Sequence, residues 1–360
     1  MGAGGFGLFA LQQFLQSPGV ELGAIAGTHR EAALAMARRF GVADPVETDA
    51  LLADPGIDLI YIATPPFLHY PQAKAALLAG KHVICEKPLA MTVDQADDLL
   101  AIAKERDLLC IANLMQRYNP LFDAARALVE SGVLGECLHG WFENYASDEG
   151  LGADHWFWDR EKSGGIFIEH GVHFFDLFEG WLGAGEVVAA QRVLRPGSGI
   201  EEQVQCTVRY GNGALVNFHH GFTQPSRLDR QEFRLLFEHG ELTLEEWVPV
   251  RARIRAAVNE EQTRALMKIF PGSRLDVLKT YGGRDRAARG RFKDIDISQQ
   301  IELHHALCDD KQRRYCELLR ALFNDQLAWL RDRSHVRKVT ERNGRDSLAM
   351  AEAATRLAVA

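Results

Sequence analysis

The sequence predicts an α/β protein: a doubly wound parallel sheet near the amino terminus, then a second α/β domain with a large open, mostly antiparallel sheet. Three observations carry this. Short apolar runs alternate with amphipathic helical runs over residues 8–131, hairpin signals replace that alternation beyond residue 136, and a G-x-G-x-x-G pattern stands at Gly2, Gly4 and Gly7. With 360 residues, 47% of them hydrophobic, the chain can bury two cores.

In the first part, strands are expected at residues 21–26, 57–63, 82–86 and 108–113. Helices are expected at residues 9–16, Arg30–Phe40, His69–Leu78 and Val93–Glu105, with Thr92 as N-cap of the last. A dinucleotide-binding glycine turn hangs off a β-strand, and none precedes the glycines here, so the first strand is expected to be missing from the sheet. From residue 136 to about 258 strand-like runs are joined by hairpin signals, notably "YGNGA" around Asn212-Gly213 and "FEHGE" around Gly240. One helix, near residues 166–182, interrupts them. Residues 251–296 hold twelve Lys/Arg against six Asp/Glu. Without an aromatic ladder this reads as a solvated insertion or an oligomer rim rather than a polyanion site. Helices near residues 307–331 and 347–358 close the chain. The expected domains are 1–120 and 121–360, with the C-terminal helix able to pack back on the first.

A net charge of -8 and a pI near 5.9 provide no field for nucleic acid or an anionic membrane, so small molecules are the expected partners. The six cysteines show no C-x-x-C pair or zinc spacing, which fits reduced thiols in a cytoplasmic protein. No uncharged apolar run reaches the ~18 residues of a membrane span, and no basic n-region opens the chain.

Three segments carry chemistry. In the glycine turn, Gly2 permits the tight bend, Gly4 the approach of a pyrophosphate and Gly7 close helix packing, with Phe6 inside the turn. After the 21–26 strand comes "AGTHRE", whose Thr28, His29 and Arg30 offer donors and a positive charge where NAD would meet a carboxylate; this favours NADP over NAD. The alternative is that Arg30 only begins a solvated helix. In "YIATPPFLHYPQAKAALLAGKHVICEKPLAMT", Thr64 and Pro65 end one strand, His69 follows, and the next strand delivers Glu86, Lys87 and Pro88 to the same edge. A partly desolvated Lys87 can exchange a proton with a substrate hydroxyl; alternatively it is a surface lysine paired with Glu86. In "SGGIFIEHGVHFFDLFEGWLG", Glu169, His173 and Asp176 fall at i, i+4 and i+7 on one stripe of an otherwise apolar helix. His173 reads as a general base, with Glu169 as its partner or as a ligand of a substrate hydroxyl. A satisfied polar network competes with that reading, and a metal site at Glu169, His170 and His173 is disfavoured for want of a third histidine. Tyr118, Trp156 and Trp158 are candidate pocket walls or plain core.

Taken together, and with "RYNP" at Arg117–Pro120 and the closing "NGRDSLAMAEAA", these segments resemble the Gfo/Idh/MocA oxidoreductases, in order and over nearly the whole chain. The resemblance implies an amino-terminal Rossmann domain, a carboxy-terminal open sheet that often mediates oligomers, here a homodimer or homotetramer, and a nicotinamide cofactor. It further implies hydride transfer at a carbinol carbon of a sugar, polyol or derivative. The family's lysine of "EKP" and its Asp-x-x-x-His pair fall on Lys87, Glu169 and His173. Gly2, Gly4, Phe6, Gly7, Thr28, His29, Arg30, Thr64, Pro65, His69, Glu86 and Lys87 fall on the cofactor side, and Arg117, Tyr118, Trp156 and Asp176 on the substrate side. Glu169 departs from the usual Asp, and the chain begins at the glycine turn, which points to a start assigned too far downstream. A non-catalytic NAD(P)-binding sensor, and a hydrolase or lyase using NAD for internal redox, remain as alternatives.

Overall fold

The computed structural model describes residues 1–2, 4–27, 30–42, 45–148, 150–307 and 310–358. Two compact units emerge. The first joins Met1–Tyr118 to Gly152–Asp176 and Tyr315–Arg356, and the second is chiefly Asn119–Leu151 and Leu177–Arg314.

The first unit begins with α1 (Gly5–Phe14), α2 (Arg30–Phe40), α3 (Thr48–Ala53), β1 (Leu59–Ile62), α4 (His69–Leu78), β2 (His82–Cys85), α5 (Val93–Glu105) and β3 (Cys110–Ala112). The strands pair in parallel in the order β1-β2-β3, with Ile60 opposite Val83 and Ile84 opposite Ile111. All four of these side chains are 3% exposed or less, as in a parallel strand covered on both faces. Helix α5 starts where Thr92 accepts a hydrogen bond from Gln95 N.

One strand differs from expectation. Residues 21–26 are not part of the sheet ladder, although Ile25 and Ala26 are buried. Single bonds tie them down: Ala26 O accepts from Gly2 N at 2.9 Å and Ile25 O from Val46 N at 3.0 Å, while Ala63 N donates to Met1 O at 2.9 Å. Met1 and Gly2 thus link the 21–26 segment to the end of β1. Ile25 packs with Ala33, Met36 and Ala37 of α2 and with Leu8 and Leu11 of α1, so its burial comes from helices rather than from a ladder.

Next along the chain are α6 (Pro120–Ser131), β4 (Cys137–Tyr145), α7 (Arg160–Ser163), α8 (Val172–Leu182), β5 (Gly185–Leu194), β6 (Glu201–Tyr210), β7 (Leu215–Gly221), β8 (Arg230–Phe237), β9 (Gly240–Glu245), β10 (Arg251–Val258), α9 (Glu260–Ile269), β11 (Arg274–Thr280), β12 (Ala287–Gly290), β13 (Lys293–Asp296), β14 (Gln299–Ala306), α10 (Lys311–Arg331) and α11 (Glu341–Leu357). The closing helix α11 belongs to the first unit. A Cβ added to its Gly344 would lie 2.8 Å from Ala112 Cβ of β3, and its Glu352 accepts from Val93 N at 2.7 Å.

Among the described residues the second unit holds a nine-stranded sheet in the order β11-β14-β10-β9-β8-β4-β7-β6-β5. Its pairs are antiparallel except β4 with β7. One face buries Phe142, Val216, Phe218 and Phe233, with Phe178 edge-on to Phe218 at 5.0 Å between centroids. The opposite face carries Trp141 and Tyr145, each under a guanidinium, from Arg234 and Arg230 respectively.

Segment 251–296 is more integrated than a solvated insertion. It supplies β10 inside the sheet, the edge strand β11, the β12–β13 hairpin, and α9, which a reciprocal cap between Asn259 and Gln262 begins. In β10, Ala252, Ile254, Ala256 and Val258 are buried and alternate with Arg251, Arg253 and Arg255, a period-2 pattern that the charge count obscured. Its charges are met locally, Arg255 by Glu302 and Arg286 by Glu260 and Asp296. Among the described residues no helix is long and apolar enough to cross a membrane.

Candidate active site at the carboxyl edge of the parallel sheet

The ends of β1, β2 and β3 deliver Thr64, Glu86 and Asn113 to one edge. Glu86 ties these strands together. Its carboxylate accepts from Tyr61 OH of β1 and from Asn113 Nδ2 at 2.7 Å, and burial pushes its pKa up against those two bonds. Glu86 therefore ties the strand ends together from a buried position.

The next residue is Lys87, joined to Pro88 by a cis peptide bond. Its ammonium donates to Glu169 Oε1 at 2.6 Å and Glu169 O at 2.9 Å, and the two side chains are only 18% and 10% exposed. Lys87 is thus partnered by Glu169, not by Glu86. Glu169 in turn is Lys87's partner rather than the one expected for His173.

The reason lies in the local backbone. Phe167–Gly171 form a π-helical turn ahead of α8, which spoils the α spacing that would stack Glu169 over His173. Gly164 and Gly165, at φ 84° and 92°, turn the chain into it, and Gly165 O takes the Glu169 N–H at 2.9 Å. His173 is 4% exposed. Burial, then the Lys87 charge, holds both His170 and His173 well below the ordinary imidazole pKa, so His173 is neutral at pH 7 and able to accept a proton.

Asp176 takes another partner. Arg117 grips it through Nε at 2.8 Å and Nη2 at 2.9 Å, and Asn343 adds a third bond at 3.1 Å. A carboxylate 1% exposed and met on both oxygens has the form of a buried brace. Tyr118 also has its partner within the fold: its hydroxyl donates to Asp325 of α10, which also accepts from His335 Nε2. Trp156 and Trp158 stand half-buried on a 3₁₀ turn, Trp156–Trp158.

His69 too is held within the fold. It is 1% exposed, with both ring nitrogens on backbone carbonyls, Nδ1 at Pro88 O and Nε2 at Thr64 O. Thr64 donates its hydroxyl to Gln72 at 2.7 Å, and Pro65 precedes the short turn Pro66–Leu68. Sequence reading missed Tyr61, Gln72 and Asn113. Asn113 had a signal, a polar residue ending an apolar strand; Tyr61 and Gln72 had none.

The glycine turn fits a dinucleotide phosphate. Helix α1 starts without a capping side chain or an acidic residue in its first turn, which leaves its first N–H groups without a side-chain partner at the cap, and a Cβ on Gly4 or Gly5 would meet nothing within 4 Å. Gly2, at φ 92°, could not carry a Cβ, which would lie 2.5 Å from Ala63 O, and one on Gly7 would lie 3.1 Å from Ala63 Cβ. These are the two close approaches that the turn requires. Phe6 is 37% exposed beside Tyr315, and Arg30 heads α2, exposed. Thr28 and His29 lie outside the described residues. Among those described, no group of three His, Cys, Asp or Glu is placed to hold a metal.

Comparison with known proteins bears on this site. Residues 1–114 match the family model described as an oxidoreductase family with an NAD-binding Rossmann fold, and residues 122–243 the GFO/IDH/MocA C-terminal domain. The 1,5-anhydro-D-fructose reductase of Ensifer adhaerens is 31% identical over 216 residues, 58% of this chain and 64% of that one. The scyllo-inositol 2-dehydrogenase (NAD(+)) of Bacillus subtilis (strain 168) is 28% identical over 189 residues, 51% and 53% of the two chains. Across eight such relatives the matched stretch spans from 26% to 73% of their length. A solved 3-ketoreductase from Actinomadura kijaniata, in complex with NADP and TDP-benzene, shares the fold at TM-score 0.74 and 20% identity, covering 99% of this chain and 96% of that one. By its glycine turn, its "EKP" strand end and the match of both domains, the chain belongs to the Gfo/Idh/MocA oxidoreductase family.

Proposed function

We propose that the chain is an NAD(P)-dependent oxidoreductase acting between a secondary alcohol and the corresponding ketone of a sugar, polyol or derivative. The observation that carries this reading is the Lys87–Glu169 ion pair, beside a His173 held neutral, at the sheet edge reached from the open end of α1. Gly2, Gly4 and Gly7 with the first N–H groups of α1 would hold the pyrophosphate. When bound, the nicotinamide supplies or accepts the hydride. His173 accepts the hydroxyl proton as an alcohol is oxidised, and Lys87 donates a hydrogen bond to the same oxygen as negative charge builds there; in reduction these roles reverse. Glu169 holds the ammonium in place.

NADP is favoured over NAD on Thr28, His29 and Arg30. Titration with NADPH and NADH, followed by nicotinamide fluorescence, tests this, and tighter NADH binding reverses the choice while keeping the enzyme. Lys87→Ala is expected to cut turnover by about 10²- to 10⁴-fold while nucleotide affinity stays within about threefold. Unchanged turnover with chemistry rate-limiting would refute the assignment.

We further propose a homodimer or homotetramer formed through the open face of the nine-stranded sheet, where Trp141 and Tyr145 lie with their arginines, and a cytoplasmic location, consistent with the free thiols of Cys85, Cys110, Cys137, Cys206 and Cys316. Light scattering should give two or four times the chain mass, and Trp141→Glu should lower it.

A further inference from the structure

We propose that His69 is a positioning residue for Lys87, acting by clamping the ends of β1 and β2 together. The proposal rests on the reading of Lys87 as the group that handles the substrate oxygen.

Thr64 lies just beyond β1 and Pro88 just beyond β2, and the buried ring sits between their carbonyls, 2.7 Å from Thr64 O and 2.6 Å from Pro88 O. A carbonyl oxygen only accepts, and a neutral imidazole donates only once, so one buried ring between two carbonyls is a demanding arrangement. An apolar side chain would fill the volume but would leave both carbonyls with no donor from this position. What the ring adds is one hydrogen bond to a strand-end carbonyl from a ring packed against the other strand end.

That contact bears directly on Lys87. The Pro88 carbonyl belongs to the residue that follows Lys87, and on its other side Glu86 is held by Tyr61 and Asn113. Lys87 is therefore anchored at both neighbours, one through a side chain and one through a carbonyl. A lysine side chain has four rotatable torsions, so its ammonium meets Glu169 reproducibly only if its backbone is fixed. Since both ring nitrogens are taken by carbonyls, His69 acts through Lys87 and not on a ligand.

The test compares His69→Phe, which keeps the ring volume without an N–H, and His69→Gln, which keeps N–H donors, using the full chain. Two readouts are needed. The first is kcat against nucleotide Kd: the Phe variant is expected to lose about 10- to 100-fold in kcat with Kd within about threefold, and Gln to recover part of the loss. The second needs no turnover: trace acetylation by acetic anhydride, read by mass spectrometry as the labelling of Lys87 relative to exposed Lys279. That ratio should change by about threefold or more in His69→Phe and less in His69→Gln. Unchanged labelling and unchanged kcat overturn the proposal, and so does equal loss of kcat and nucleotide affinity. If Phe fails to fold, Gln alone decides; if Gln also fails to fold, the ring is a structural pillar and the proposal falls. A wild-type chain that binds neither nucleotide would sink the oxidoreductase reading, while the labelling ratio still decides on the clamp.

Discussion

At the scale of single residues, the site is a set of charges whose partners come from far along the chain. Glu169 meets Lys87 across 82 positions and Asp176 meets Arg117 across 59. Periodicity along one helix can name Glu169, His173 and Asp176 as the polar stripe, but it reports only neighbours on that helix, so it could not assign these partners. The sequence was legible here in residue type and address, and illegible in pairing. The pairing makes a prediction. Asp176→Ala leaves the Arg117 guanidinium, 12% exposed, without its carboxylate, and removing one member of a buried pair costs about 3–5 kcal/mol. Urea unfolding should show that loss, and nucleotide Kd in the folded fraction should stay near the wild-type value. A stable Asp176→Ala protein with a raised substrate KM would instead make Asp176 a ligand.

At the scale of elements, the π-helical turn Phe167–Gly171 decides which way Glu169 faces, and two glycines make that turn possible. Gly164 has φ 84°, and a Cβ there would lie 2.7 Å from Ile168 Cγ2 and 2.9 Å from Ile168 Cβ, inside the same turn. Gly164→Ala therefore meets backbone strain and a clash together, and should destabilise the fold by about 1–3 kcal/mol. It should also lower kcat, because relieving the clash moves the turn that carries Glu169; a variant with lower stability but full kcat would show that Glu169 keeps its place without this turn. The π turn was not legible, since "SGGIFIEHG" satisfies an α-helical apolar pattern equally well, and the distinction rests on one inserted residue in the hydrogen-bond ladder. Thr92 shows the opposite case. A threonine before an amphipathic run names its own hydrogen bond, and the cap to Gln95 N is found where the pattern puts it. Local rules were readable where one element satisfies itself, and in β10 the alternation of "RARIRAAV" was present but outweighed by a count of charges taken over too wide a window.

At the scale of the molecule, the site's burial links stability to pH. His69, His170 and His173 are all held below the ordinary imidazole pKa with burial as the leading cause. A base whose folded pKa is depressed binds its proton more readily when unfolded. These histidines therefore cost nothing above about pH 6.5, and each removes up to about 1.4 kcal/mol of stability per pH unit as pH falls from there towards the folded value. Glu86 and Asp176 act in the other direction. Burial raises their pKa, so the folded state holds their protons more tightly than the unfolded one, and they add stability as pH falls through the raised values towards the ordinary carboxyl range. The surface carboxylates with lowered pKa, such as Asp97 and Asp98, titrate below that range and stay silent in this window. Three histidines against two carboxyls leave a net loss, and the half-buried His82 and His219, lowered for the same reason, reinforce it. The urea midpoint at about pH 5.5 should therefore lie below that at about pH 6.5. Replacing His170 by Asn should flatten that fall by at most one proton's worth, about 1.4 kcal/mol per pH unit. A midpoint that rises between pH 6.5 and 5.5 would mean that the buried carboxyls outweigh the histidines.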